Sequence, residues 1–216
     1  MAQDPRLTEF LRWSVAHSDA TVNNESPESQ SQVTPEMMAA LMGGPSDADL
    51  MKASMELITA PDAEVSMDNK LIAWENLEQL IESLDNANNM ASLGLWGPLL
   101  AQLKHDEGEV KKMAAWCVGT AVQNNEKTQE RLVAMGDAGL PTLVALALGG
   151  AGEAEDVRRK AVYALSSACR NYQPAMDVFV EELGRRGVGD GVKIDAFDMD
   201  AVDAVIGALR EKIKGA

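Results

Sequence analysis

The sequence predicts an all-α protein, on three observations. Apolar residues recur at helical spacing over most of the chain, as in Leu77, Leu80, Ile81 and Leu84 at i, i+3, i+4 and i+7. Val, Ile and Thr seldom cluster or alternate, so no strand pattern is present. Aromatic residues make up only 4% of the chain while Ala, Leu and Met are plentiful, a composition suited to helices packed through aliphatic side chains.

The elements follow in order. Residues 6–18 (RLTEFLRWSVAHS) spell a short amphipathic helix with Leu7, Phe10, Leu11 and Val15 near one face and Trp13 beside it. Residues 19–33 are rich in Ser, Asn, Gln and Glu, bury too little apolar surface to offset their ordering entropy, and read as a linker. Thr34-Pro35-Glu36 is a helix start, followed by Met37, Met38, Leu41 and Met42 and stopped by Gly43-Gly44-Pro45. Ser46-Asp47-Ala48-Asp49 resembles a capping box for a helix bearing Leu50, Met51, Met55, Leu57 and Ile58. Met-rich stripes of this kind fill core gaps.

Ser66 caps the stretch that organises the chain, residues 70–89 (KLIAWENLEQLIESLDNANN), read as one helix whose apolar stripe runs into an Asn-rich end. Glu78 and Glu82 are placed on its exposed side, where like charges four apart repel slightly. A shorter apolar helix with Leu95, Trp96, Leu99 and Leu100 follows, broken by Gly97-Pro98. Further helices are expected at 110–125, 126–135 and 157–172, and from Pro174 through Leu183. After a Gly-rich charged loop, Asp198 caps a last amphipathic helix carrying Val202, Val205, Ile206, Leu209 and Ile213.

The long helices repeat. Aligned by their ends, Leu77, Ala115 and Val162 coincide, as do Leu80, Val118 and Leu165, and Asn86, Asn124 and Asn171 fall in register. The Trp96–Leu100 run pairs with Gly139–Leu143. A unit of about 40–47 residues with two or three helices is the armadillo/HEAT signature. Stacking gives an armadillo/HEAT-like helical solenoid of about three repeats with capping helices. The expected organisation is a helix and linker over 1–33, capping helices over 34–66, repeats over 67–186, and a loop and helix over 187–216. The Asn ladder offers donors and acceptors to a partner along a concave face. An Asn that ends a helix in the left-handed conformation would give the same pattern at Asn124 and Asn171. Asn86-Ala87-Asn88-Asn89 reads more strongly as a surface for a partner, with small Ala87 admitting a partner's backbone.

Charge and chemistry exclude several functions. A net charge of −15 argues against a nucleic-acid partner. The excess is uneven: 11 acidic and 3 basic residues precede Met67. Cys117 and Cys169 sit in apolar stripes without a CxxC pair, which suits reduced thiols in a cytosolic or nuclear chain, and a cytoplasmic location is expected. No secretory leader and no membrane span is read. His17 and His105, the two histidines, are isolated, and no metal cluster, nucleophile–base pair or phosphate loop is found. No enzyme, cofactor or catalytic residue is therefore expected.

Several segments together resemble one family. Leu11-Arg12-Trp13-Ser14-Val15, Leu41-Met42-Gly43-Gly44-Pro45-Ser46-Asp47, Leu84-Asp85-Asn86-Ala87-Asn88, Gly119-Thr120-Ala121-Val122-Gln123-Asn124-Asn125 and Arg159-Lys160-Ala161-Val162-Tyr163-Ala164-Leu165-Ser166 occur in this order. They resemble the armadillo-type nucleotide exchange factors of the 70-kDa heat-shock chaperone, most of all fungal cytosolic members, over roughly residues 6–180. The resemblance implies a monomer that grips lobe II of the chaperone's nucleotide-binding domain with its concave face, so that ADP leaves and the client is released. It implies partner-binding residues Glu78, Glu82, Asp85, Asn86, Ala87, Asn88, Asn89, Gln123, Asn124, Asn125, Arg170 and Asn171. It also implies a client-mimicking N-terminal segment carrying Leu11, Trp13 and Val15. A further basic and apolar repeat, usual in the family after the third, is not expected here, where the chain passes from Leu183 into Gly-rich, charged sequence. A generic armadillo scaffold for extended peptides is the alternative, disfavoured because Trp74, Trp96 and Trp116 share no repeat position.

Overall fold

The computed structural model describes residues 45–149, 152–189 and 191–214. The readings made on residues 1–44, including Leu11, Trp13, Val15 and the Thr34 helix start, lie outside them. The described residues form ten α-helices and two 3-10 turns, with no strand among them. The helices are α1 (Asp47–Thr59), α2 (Met67–Ile81), α3 (Leu84–Asn89), α4 (Trp96–Ala101), α5 (Gly108–Val122), α6 (Glu126–Ala134), α7 (Leu140–Ala147), α8 (Glu155–Cys169), α9 (Gln173–Arg185) and α10 (Met199–Lys214).

The starts follow local chemistry. Ser46 accepts a hydrogen bond from the Asp49 N–H to cap α1, and Ser66 accepts one from the Asn69 N–H to cap α2. Asp198 accepts from the Asp200 and Ala201 N–H groups at the head of α10. Gly97 and Pro98 do not break α4 as expected; they lie in its first turn, where Pro withholds a donor that has no helical partner anyway.

Three helices of 15 residues, α2, α5 and α8, recur with starts 41 and then 47 residues apart. α5 packs against α2 on one side and α8 on the other, and α10 continues the row beyond α8. The shorter α3, α6 and α9 follow them in sequence, and α4 and α7 lie beneath. This is stacking of helices into a solenoid, each layer burying its apolar stripe against the next. Trp74, Leu77, Leu99, Val118, Leu132, Leu143, Leu165, Phe179 and Ile206 belong to one continuous core.

The register corrects the sequence reading in two ways. Residues 70–89 are not one helix: α2 ends at Ile81, the chain turns at Glu82-Ser83, and α3 begins with Ser83 extended at its N-cap position. Leu84, placed on the buried stripe, is 56% exposed. The spacing between the first two copies is consequently 41 and not 38. Ser83 occupies the position of Asn124 and Asn171, and Asn86 belongs to the following short helix. The ladder of three asparagines does not form. Asn124 and Asn171 have positive φ of 52° and 58°, the left-handed conformation in which a helix ends and which Asn tolerates.

A different residue type does keep register. The fourth residue of each long helix is a cation: Lys70, Lys111 and Arg158. Lys70 donates to the Ala60 carbonyl and to Asp62 at 2.6 Å, Lys111 pairs with Glu153, and Arg158 donates to the carbonyls of Ala147 and Lys212. Each ties the head of its helix to a neighbouring segment.

Candidate functional site

The outer stripe of α5 and its C-cap runs Glu109, Lys112, Trp116, Thr120 and Gln123, exposed at its two ends and half-buried between them, spaced so that all face one side. The matching stripe of α8 carries Asp156, Arg159, Lys160, Tyr163 and Arg170. Trp116 and Tyr163 are each the ninth residue of their helices, which the 47-residue repeat sets side by side.

The two stripes are cross-linked. The Lys160 ammonium sits over the Trp116 indole, 3.7 Å from its centroid, and 5.7 Å from the Tyr163 ring. The Tyr163 hydroxyl donates to Gln123 Oε1 at 3.1 Å, and the Thr120 hydroxyl donates to Glu78 Oε1 at 2.7 Å. Partial burial pushes the Lys160 amine below its ordinary value, while Glu78 pulls it back up. Lys112 goes the other way, raised chiefly by its bond to Glu109, with Asp156 beside it. A row of this kind presents a flat aromatic and amide surface with fixed cations, suited to holding a protein partner.

The residues singled out in the sequence divide. Glu78 is not on the exposed side: it is 7% exposed, and its carboxylate is occupied by Thr120. Glu82 and Asp85 are exposed. Asn86 donates to Leu80 O at 2.9 Å and Asp47 Oδ2 at 2.8 Å, so it ties together α1, the end of α2 and α3. Ala87 is 2% exposed and forms part of the core beneath α3; it cannot receive a partner's backbone as it stands. Asn88 Oδ1 and Asn125 Nδ2 are buried without a partner among the described residues. The Asn89 carbonyl accepts from the Ser92 hydroxyl. Gln123, Asn124 and Asn171 are exposed, the first bound to Tyr163. Arg170 donates to Ser166 Oγ and Met199 Sδ and pairs with Asp203, tying α8 to the head of α10.

Trp116, Lys160 and Tyr163 were not among the expected site residues. Their signal was available: an aromatic residue recurs at the same turn of α5 and α8, but only in the 47-residue register and not in the 41-residue one, where Glu75 stands. Trp74 and Trp96 are buried core residues. Both cysteines are buried and both thiols are pushed up by burial. Among the described residues no group of three His, Cys, Asp or Glu side chains could hold a metal, and no helix is long and apolar enough to cross a membrane.

Comparison with known proteins gives two family matches. Residues 7–90 match the nucleotide exchange factor Fes1 family, and residues 86–193 match the SIL1/FES1/HPBP1 C-terminal domain. A Gibberella zeae protein named Hsp70 nucleotide exchange factor FES1 is 66% identical over 212 residues, covering 97% of this chain and 98% of that one. Its Neurospora crassa counterpart is 60% identical over 188 residues, 85% of this chain and 75% of the relative. A Coccidioides immitis protein of the same name is 45% identical over 215 residues, 96% and 98% of the two chains.

Proposed function

Since the chain belongs to the Fes1 family of nucleotide exchange factors, we propose that it binds an Hsp70 chaperone and speeds the release of ADP from it. The observation that carries this is the 66% identity extending over 98% of a relative named for that activity. The face built by α5 and α8 supports it, because cross-braced Trp116, Lys160, Tyr163 and Gln123 form a rigid surface that loses little entropy on binding.

On this reading the chain acts by binding and catalyses no covalent step. The concave side of the solenoid takes lobe II of the chaperone's nucleotide-binding domain, with Gln123, Asn124, Arg170 and Asn171 at the edge of the contact and Glu82, Asp85 and Asn86 at its first repeat. The solenoid fits an opened form of that domain better than the closed, ADP-bound form. Only this difference in affinity shifts the equilibrium toward ADP loss. By linkage, ADP must weaken the chain's own binding by the same factor. Client release then follows from ATP rebinding. The protein works as a cytoplasmic monomer, and the N-terminal segment with Leu11, Trp13 and Val15 competes with client peptides.

The peptide-scaffold reading is not favoured. It needs exposed tryptophans recurring from repeat to repeat, and of the three in the repeats only Trp116 reaches the surface. The test is a stopped-flow measurement of labelled ADP leaving the chaperone with and without this protein. An unchanged rate at saturating protein would rule the proposal out.

A further inference from the structure

Glu78 and Gly119 hold the same place in consecutive copies, since each is the twelfth residue of its long helix, α2 and α5. What stands there differs in kind. Gly119 has no side chain, and α8 comes so close that a β-carbon would stand 3.1 Å from the Ala164 Cα. Glu78, 7% exposed, instead reaches across to α5 with a carboxylate. α5 accordingly meets α8 far more extensively than it meets α2.

The α2–α5 joint has few directional ties. Among the described residues two hydrogen bonds join these helices: the Thr120 hydroxyl donates to Glu78 Oε1 at 2.7 Å, and the Cys117 thiol reaches the Trp74 carbonyl at 4.0 Å. The second is weak, because a thiol is a poor donor. A buried carboxylate is an unfavourable filler for a helix joint unless its oxygens are bonded, and an aliphatic side chain would pack there without that penalty. The bond to an ionised acceptor is short and directional, so it fixes the spacing of α2 against α5 as aliphatic contacts do not. The α5–α8 joint does not depend on one such bond, because the close approach at Gly119 and the Lys160–Trp116 and Tyr163–Gln123 contacts hold it together.

We propose that Glu78 and Thr120 are positioning residues for nucleotide exchange, whose bond locks the first layer of the solenoid to the second. This rests on the exchange-factor reading above. An exchange factor speeds ADP loss only as far as it disfavours the closed, ADP-bound chaperone. A solenoid that gives at the α2–α5 joint follows the chaperone into that form and binds both states alike, and equal affinity shifts nothing. Loosening the joint therefore separates binding from exchange.

The test follows labelled ADP leaving an Hsp70 over a range of concentrations of the full chain, which yields a maximal rate and a half-saturating concentration. One variant is Thr120→Val. A second combines Glu78→Met with Thr120→Val, so that no carboxylate is left without its donor. Thr120→Ser keeps the hydroxyl, and Ile58→Val in the core of α1 is the control for lost stability alone. The first two are expected to lower the maximal rate by about threefold or more, with a half-saturating concentration within about twofold of the parent's. Thr120→Ser and Ile58→Val should keep the parent's maximal rate. If that rate survives in the folded double variant, or Ile58→Val lowers it as much, the proposal fails and the exchange-factor reading stands. A half-saturating concentration that rises in step with the lost rate would make the pair a simple contact, and would equally overturn it. If the parent itself does not accelerate release, both readings fall.

Discussion

Gly119 on α5 lies directly under the ring of Tyr163 on α8: a β-carbon placed on Gly119 would stand 2.6 Å from Tyr163 Cδ1 and 3.1 Å from the Ala164 Cα. The glycine sets how closely the two helices approach, and through that approach it sets the face on which Trp116, Lys160 and Tyr163 meet.

Gly119→Ala should therefore lose stability although it adds helix propensity. Tyr163 can swing away, but the Ala164 backbone cannot, so α5 and α8 must separate. Overpacking of this kind costs about 1–3 kcal/mol, against about 1 kcal/mol gained from propensity. Urea unfolding should show a lower midpoint with an unchanged slope. A midpoint at or above the parent's would mean that the helices can part without strain.

Arg158→Met should be among the costlier single changes in the third layer. Arg158 is buried, and its guanidinium holds the end of α7 and the tail of α10 at once. Removing it leaves two carbonyls without their donor, a loss of about 1–3 kcal/mol. The readout is limited proteolysis between α9 and α10, which should quicken before global unfolding does. Equal cleavage rates would show that the apolar face of α10 suffices to hold it.

The helices themselves were legible because their signals are local. Ser46, Ser66 and Asp198 cap where their spacing says they should, and the apolar stripes of α5, α8 and α10 bury the residues expected. The register of the first repeat was not legible, because Leu84 continues the stripe of α2 in sequence although the backbone turns one residue before it. The Asn pattern had two readings, and the positive φ of Asn124 and Asn171 accounts for their identity by helix termination. The face of α5 and α8 escaped notice because its bonds join residues about forty positions apart, as in Tyr163 to Gln123 and Thr120 to Glu78. No window along the chain contains both partners.

Ala87→Arg shows why burial matters when an interface variant is chosen. A small residue among asparagines suggests a contact point, yet Ala87 lies on the buried face of α3. Forcing a guanidinium there should lower the melting temperature, by an amount matching at least 1–3 kcal/mol, together with any loss of chaperone binding. Calorimetric melting alongside a binding assay decides it. A variant that loses binding while melting like the parent would put Ala87 at the interface after all.

Both thiols should be inert in the folded protein. Cys117 and Cys169 are fully buried, and burial pushes each thiol above its ordinary value, so little thiolate exists at neutral pH and none of it is accessible. Iodoacetamide followed by intact-mass analysis should add no mass under native conditions and two carbamidomethyl groups in denaturant. Native labelling within minutes would reveal an opening of the α5 or α8 layer at low energy.

The acid limb of the stability profile should carry the signature of one pair. Lys70 is buried at the head of α2, and its hydrogen bond holds the Asp62 carboxyl below the ordinary 3.8. A carboxylate lowered on folding stabilises the native state above its unfolded pKa and ceases to do so as pH falls through the folded value. Asp62→Asn should thus reduce stability at neutral pH and flatten the decline below about pH 4 relative to the parent, with the two curves converging in acid. The effect should be small and sensitive to salt, because Asp62 itself faces solvent while only Lys70 is enclosed. Lys70 also keeps the Ala60 carbonyl as an acceptor, so its ammonium is not left bare in the variant. Chemical denaturation from pH 2.5 to 7 measures it. Parallel curves for parent and variant would show that the bond contributes nothing in solution.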